Sequence, residues 1–251
     1  MDKLKTECKL PAIFNGQVMP GEVDSFTFDA KKGQKLVFAV MARRIIPYLG
    51  DAVPGWFQPV ISIYDKDGKE LKFEDDFNCS PDPVMFFKVR ASGKYELRIR
   101  DSIYRGRKDF VYRIMAGELP FVTGVYPLGA QDGTTAKINL QGYNLKNKQV
   151  DVEIPENAYD MFRVKGIGTP AFNPVCLAVD SFSERNEKES NDSNKDADSV
   201  KVGTVINGKI NTAGDIDVFK FKASKGEKLV FDVGARKYGS PMDACISLTD
   251  S

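Results

Sequence analysis

The residues with the most chemistry to offer lie in one short run, Glu187-Lys188-Glu189-Ser190-Asn191-Asp192. In an extended chain, residues i, i+2 and i+4 project to the same side, so Glu187, Glu189 and Asn191 present three oxygen-bearing side chains in a row. Asp192, and Asp215 at the mouth of the following hairpin, add two further carboxylates. Such a set suits a hard cation, and calcium in particular, which takes about 6–8 oxygens from carboxylates, amides, carbonyls and water. The competing account of the same run is a solvated acidic linker that its charges keep extended.

A second group of candidates is aromatic. Residues 47–59 form an insertion relative to a later copy of the same module, and carry Tyr48, Trp56 and Phe57, with Trp56 the one tryptophan of the chain. Aromatic side chains on a loop can stack on sugar rings or fill a partner's pocket, and they can equally cap their own sandwich. The basic turn Ser102-Ile103-Tyr104-Arg105-Gly106-Arg107-Lys108 is either a contact for anionic polymers or a solvated loop. Asp75-Asp76 offers paired carboxylates, but nothing in the sequence sets them across a cleft as glycoside hydrolysis requires.

Composition narrows the chemistry. The chain of 251 residues has no histidine, which removes the usual general base, the Ser-His-Asp and Cys-His pairs and every His-containing zinc site. Lys plus Arg is 36 against 35 for Asp plus Glu, a net charge of +1 that makes no case for a nucleic-acid or anionic-membrane partner. No apolar run approaches the length of a membrane span, and the first residues show no apolar signal region. Cys8, Cys79, Cys176 and Cys245 have no CxxC spacing; Cys176 and Cys245 read as buried free thiols in apolar runs, and Cys8 with Cys79 is an open pairing within one module.

The elements that position these residues follow from an internal duplication. Residues 15–44 and 207–237 align with one insertion and are identical at more than half the positions, among them Asn15/Asn207, Gly16/Gly208, Asp24/Asp217, Phe26/Phe219, Phe28/Phe221 and Gly33/Gly226. Each copy carries Phe-x-Phe at period two, a Lys-Gly turn and an apolar run from Leu36 or Leu229, which is a hairpin signal. The first copy continues through alternating strands to about Gly117. The second stops early, so the chain is expected to be a piece of a longer protein. Ahead of Asn15 the first copy has only Glu7-Cys8-Lys9-Leu10-Pro11 and no carboxylate run, so Asp24 alone makes no cation site there. Between the copies, Gly133, Ala136–Leu140 and Val150–Ile154 mark a small separate all-β segment. The predicted fold is therefore all-β, antiparallel sandwiches in tandem: a sandwich at 8–118, a small all-β domain at 119–182, an acidic linker at 183–199, and the first half of a second sandwich at 200–251.

The repeated unit resembles the bacterial pre-peptidase C-terminal (PPC) domain, through the acidic Glu187–Asp192 segment and then Asn-Gly-x-Ile, Gly-Asp-x-Asp-x-Phe-x-Phe and Lys-Gly-x-x-Leu over Asn207–Leu229. The middle segment is similar to IPT/TIG immunoglobulin-like domains through its Pro120-Phe121-Val122-Thr123 opening and Gly142-Tyr143-Asn144-Leu145. The first resemblance implies a jelly-roll-like antiparallel β-sandwich, related to collagenase collagen-binding domains that hold calcium with the same acidic pattern. Together the two imply a noncatalytic spacer and binding segment of an exported bacterial protein, secreted, periplasmic or on the cell surface. Its partners would be extracellular polysaccharide or protein. Two other readings stand beside it: an accessory region of a secreted peptidase or hydrolase, and a structural subunit of a surface assembly that self-associates through the incomplete third module.

Overall fold

The structure is a computed structural model and describes residues 6–47, 55–78, 80–164 and 173–250. It is all-β, with antiparallel sandwiches in tandem and a single 3-10 turn at Arg236–Tyr238 among the described residues. The chain divides into two compact units, residues 1–121 and 122–251.

The first unit is built from β1 (Thr6–Cys8), β2 (Ala12–Gln17), β3 (Asp24–Ala30), β4 (Lys35–Met41), β5 (Pro59–Tyr64), β6 (Glu70–Glu74), β7 (Val84–Lys88), β8 (Gly93–Asp101) and β9 (Val111–Gly117). Five strands run in the order β1-β3-β8-β5-β6, and four in the order β2-β9-β4-β7. The Phe-x-Phe pattern works as period two demands: Phe26 and Phe28 face inward on β3 beside Leu97 and Tyr95 of β8. They meet Phe14, Phe38, Ile61, Ile63, Met85, Ile99 and Ile114 in one continuous core.

Strand β4 is buried along nearly its whole length, which one covered face does not explain. Its second face, with Val37 and Ala39, carries a satellite cluster with Val84, Leu119 and Phe121. Phe77, Phe86 and Phe121 meet edge to face with ring centroids 5.6–5.9 Å apart. Residues 119–121 therefore seal the outer face of the sheet, which is why the run Leu36–Val40 reads as continuously apolar. Phe121→Leu, which keeps apolar bulk and loses the ring edges, is expected to lower the stability of the first unit by about 1–1.5 kcal/mol in urea unfolding; an unchanged midpoint would remove the triad from the list of stabilising contacts.

The second unit contains β10 (Phe121–Tyr126), β11 (Gly129–Gln131), β12 (Thr135–Tyr143), β13 (Gln149–Glu153), β14 (Asp160–Arg163), β15 (Cys176–Asp180), β16 (Ser183–Asn186), β17 (Asp198–Ser199), β18 (Thr204–Asn207) and β19 (Phe219–Lys220). Two three-stranded sheets, β10-β12-β13 and β11-β15-β14, enclose a core of Val122, Ile138, Leu140, Val152, Ile154, Leu177 and Val179. The acidic segment at 183–199 contains strand pairing and buried residues. Strand β16 pairs in parallel with β18, Asn186 facing Asn207, and Asn191 and Ala197 are buried.

The two repeats share one unusual feature, a short strand laid parallel against the Phe-x-Phe strand: Thr6 pairs with Phe26 in the first copy and Asp198 with Phe219 in the second. Beyond that the second copy departs from the expected hairpin. Only Phe219–Lys220 forms strand, and Leu229–Val233 is irregular. In the first copy β3 and β4 are held by β7, β8 and β9; among described residues 200–250 there is no counterpart to these, and a strand sequence without a hydrogen-bonding partner stays irregular. Phe221 and Phe231 still meet, 5.2 Å apart, while Val230 is 92% exposed. Cys245 is likewise exposed where a buried thiol was expected. Cys176 is half-buried. Cys8 is a free thiol that donates to the Thr27 carbonyl, and Cys79 lies outside the described residues.

Candidate metal centre

Parallel pairing of β16 on β18 carries the chain directly into the acidic run. The amide of Glu187 donates to the Asn207 carbonyl at 2.9 Å, one step past the last strand pair, and this sets Glu187 beside Gly208. Farther along, the amide of Val218 donates to the Asn191 carbonyl at 2.9 Å, which draws the end of the run against Asp217. The run is thus stitched at both ends to the segment 207–218, about 20–30 residues on in sequence.

The result is a cluster of three carboxylates, Glu187, Glu189 and Asp217, each offering an oxygen within 4.8 Å of the others. Among the described residues it is the one such group. Asn191 is 0% exposed, and both polar atoms of its amide have no hydrogen-bond partner; Glu187 Oε2 and Asp217 Oδ1 are also buried and unsatisfied. Leaving a buried amide unbonded costs about 1–3 kcal/mol; of the unsatisfied atoms the three oxygens, Asn191 Oδ1, Glu187 Oε2 and Asp217 Oδ1, are of the type a hard cation accepts.

Electrostatics point the same way. Burial, then the neighbouring Asp217 and Glu189 carboxylates, push the Glu187 carboxyl up to about 7, against only a backbone hydrogen bond from Lys209 at 2.7 Å that lowers it. Asp217 is raised by burial and by Asp215, Glu189 and Asp192. Asp192 is raised by desolvation and by Asp215 and Glu189. A divalent cation would neutralise this crowding, and carboxylates with an amide oxygen are donors of the kind that calcium accepts.

Of the residues expected from sequence, Glu187 and Glu189 enter the cluster, and Asn191 is buried with its amide unbonded. Asp192 is exposed and sits with Asp215 as an adjoining acidic pair, Asp215 accepting the Asn211 amide. Sequence reasoning missed Asp217, although it stands at i+2 from Asp215 and is matched by Asp24 in the first repeat. It also missed Asn211, whose side-chain amide donates to Glu189, and Gly208. A Cβ on Gly208 would lie 2.8 Å from Glu187 Oε2 and 3.2 Å from Asp217 Oδ2. Gly208→Ala is therefore expected to splay the two carboxylates and weaken calcium binding about tenfold or more, with the far-UV circular dichroism unchanged; equal affinity in the variant would show that the close approach is not needed.

In the first repeat the counterparts are occupied differently. Tyr112 lies opposite Gly16 across β2 and β9, and its hydroxyl donates to Asp24 at 2.6 Å. Burial and the Asp24 carboxylate raise the pKa of that phenol.

The aromatic candidates separate. Tyr48 lies outside the described residues. Phe57 is 3% exposed and stacks on Phe110 at 5.1 Å, a core residue of the sandwich end. Trp56 is half-buried beneath the Arg43 guanidinium, 4.3 Å from its ring centre. Two buried carboxylates build this end of the first unit. Asp82 accepts the amides of Ala42, Arg43 and Arg44, and Asp101 accepts those of Gln58, Ile103 and Arg105. The basic turn is held so that Ile103 and Tyr104 project outward, 69% and 51% exposed, with Tyr104 at φ 59° over Arg100.

No helix among the described residues is long and apolar enough to cross a membrane. No family model and no curated protein matches the chain. Among solved structures, the pre-peptidase C-terminal domain of collagenase from Bacillus anthracis is 12% identical, covering 46% of this chain and 97% of its own, with a TM-score of 0.34. The periplasmic inhibitors of g-type lysozyme from Aeromonas hydrophila and Salmonella Typhimurium are 13% and 16% identical, each over 45% of this chain and 98% of its own, with TM-scores of 0.30. Likeness at this level carries no functional inference.

Proposed function

We propose that this chain is a noncatalytic binding and spacer segment of an exported protein, with a calcium ion held by its second unit. The observations that carry the reading are the Glu187–Glu189–Asp217 cluster and, in the same run, a buried Asn191 amide without a partner. The half-exposed carboxylates suit a modest affinity; extracellular calcium modules work at dissociation constants of about 10⁻⁴–10⁻³ M, where calcium outside cells is abundant. The resemblance of the repeated unit to PPC domains supports the exported setting. For the binding role, the loops of the first unit present Ile103 and Tyr104 beside Trp56, Arg43 and Arg105, with Arg105 donating to the Trp56 carbonyl at 3.0 Å. Trp, Tyr and Arg are the composition of protein-contact hot spots, which favours a protein partner over a neutral polysaccharide.

Isothermal titration with calcium chloride tests the cation reading. One site per chain is expected, with magnesium binding more weakly because it demands tighter octahedral geometry. Heats indistinguishable from dilution up to 10 mM, a concentration set about tenfold above the weakest affinity expected, would end it.

A further inference from the structure

One residue that bonds the main chain of the candidate cation cluster also bonds the preceding segment, residues 126–128. Asn207, 6% exposed, closes β18 and makes four bonds in two directions. Its carbonyl accepts both the Glu187 amide and the Tyr126 hydroxyl, each at 2.9 Å. Its side-chain oxygen accepts the Leu128 amide at 2.9 Å, and its side-chain nitrogen donates to Glu184 at 2.8 Å. Two residues on, Lys209 repeats the pattern: its amide donates to Glu187 at 2.7 Å, and its ammonium lies over the Tyr126 ring, 3.6 Å from the centroid. Tyr126 and Leu128 flank the turn between β10 and β11, so both strands of the immunoglobulin-like segment reach the residues that fix Glu187.

We propose that calcium loading and the docking of residues 126–128 on residues 207–209 are one coupled equilibrium, with Asn207 as the shared residue and the cation as the effector that stiffens this joint. The inference rests on the calcium reading above. Physically, a cation fixes Glu187 through its side chain, and Glu187 fixes Asn207 and Lys209 through main-chain bonds. Those two residues are also the acceptors and the cation-π donor for Tyr126 and Leu128. Ordering paid for by one ligand is not paid again by the other, and the coupling must be reciprocal.

Two measurements on the full chain test it. Tyr126→Phe removes the hydroxyl that donates to Asn207 and leaves every carboxylate in place, and is expected to weaken calcium binding about three- to tenfold by titration calorimetry. In the unaltered chain, calcium is expected to slow hydrogen exchange of the Leu128 amide about tenfold relative to chelator. This second measurement needs no variant. Calcium binding that slows exchange at 187–218 but leaves Leu128 and the Tyr126→Phe affinity unchanged would overturn the coupling and leave the cation site standing. No calcium effect on exchange anywhere in 187–218 would overturn both.

Discussion

Calcium at a hundredfold excess over its dissociation constant is expected to stabilise the second unit by about 2.7 kcal/mol, and to raise its melting temperature by on the order of 10 °C. The ion would bind a set of carboxylates that only the folded chain assembles, since Glu187 and Glu189 meet Asp217 through the β16–β18 pairing and the Asn191–Val218 bond. Glu189→Ala should abolish most of the shift and little else. Glu189 is exposed, and its main structural contact is the Asn211 side-chain amide, so its loss in chelator costs little. The first unit has no such cluster among its described residues, and its melting should be the same with calcium and with chelator. Superimposable melting curves of the second unit in the two conditions would rule the site out.

Asp101→Ala is expected to destabilise the first unit by about 3–5 kcal/mol. The carboxylate is 0% exposed; one oxygen accepts the amides of Ile103 and Arg105 together with the Arg105 guanidinium at 3.1 Å, and the other accepts the Gln58 amide at 3.1 Å. Truncation strands these donors and leaves the Arg105 guanidinium, whose side chain is 33% exposed, with the Trp56 carbonyl but no carboxylate. Urea unfolding of the first unit should show a lower midpoint with an unchanged slope, because the surface exposed on unfolding is the same. Asp101→Asn keeps one acceptor but turns a donor toward an amide, and should fall between. A loss below about 1 kcal/mol for Asp101→Ala would show that water replaces the carboxylate at no great cost, and that the turn carrying Ile103 and Tyr104 does not depend on it.

Much of the first unit was legible because its signals are local. Alternation at period two marks which side of β3 and β8 faces the core. The apolar run of β4 gave no warning that residues 119–121 cover its second face, since one continuous run serves any strand buried on both sides. Leu229–Val233 shows the opposite limit. Its sequence is nearly that of β4, yet it is irregular where β4 is strand, because strand identity needs partners and these lie far along the chain in the first copy.

The acidic run shows the same division at the site. By itself the sequence determined that the chain is all-β, that histidine chemistry is absent, and that Glu187, Glu189 and Asn191 share one side of an extended segment; these follow from composition and from a backbone period of two. Only the tertiary structure decided that Asp217, rather than Asp192 or Asp215, joins the two glutamates, that the Asn191 amide is buried without a partner, and that Phe57 is core while Tyr104 is surface. Those outcomes depend on the parallel register of β16 against β18 and on which residues the packed ends of the sandwich bury. Register is set by long-range pairing and burial, to which a local pattern of period two is blind.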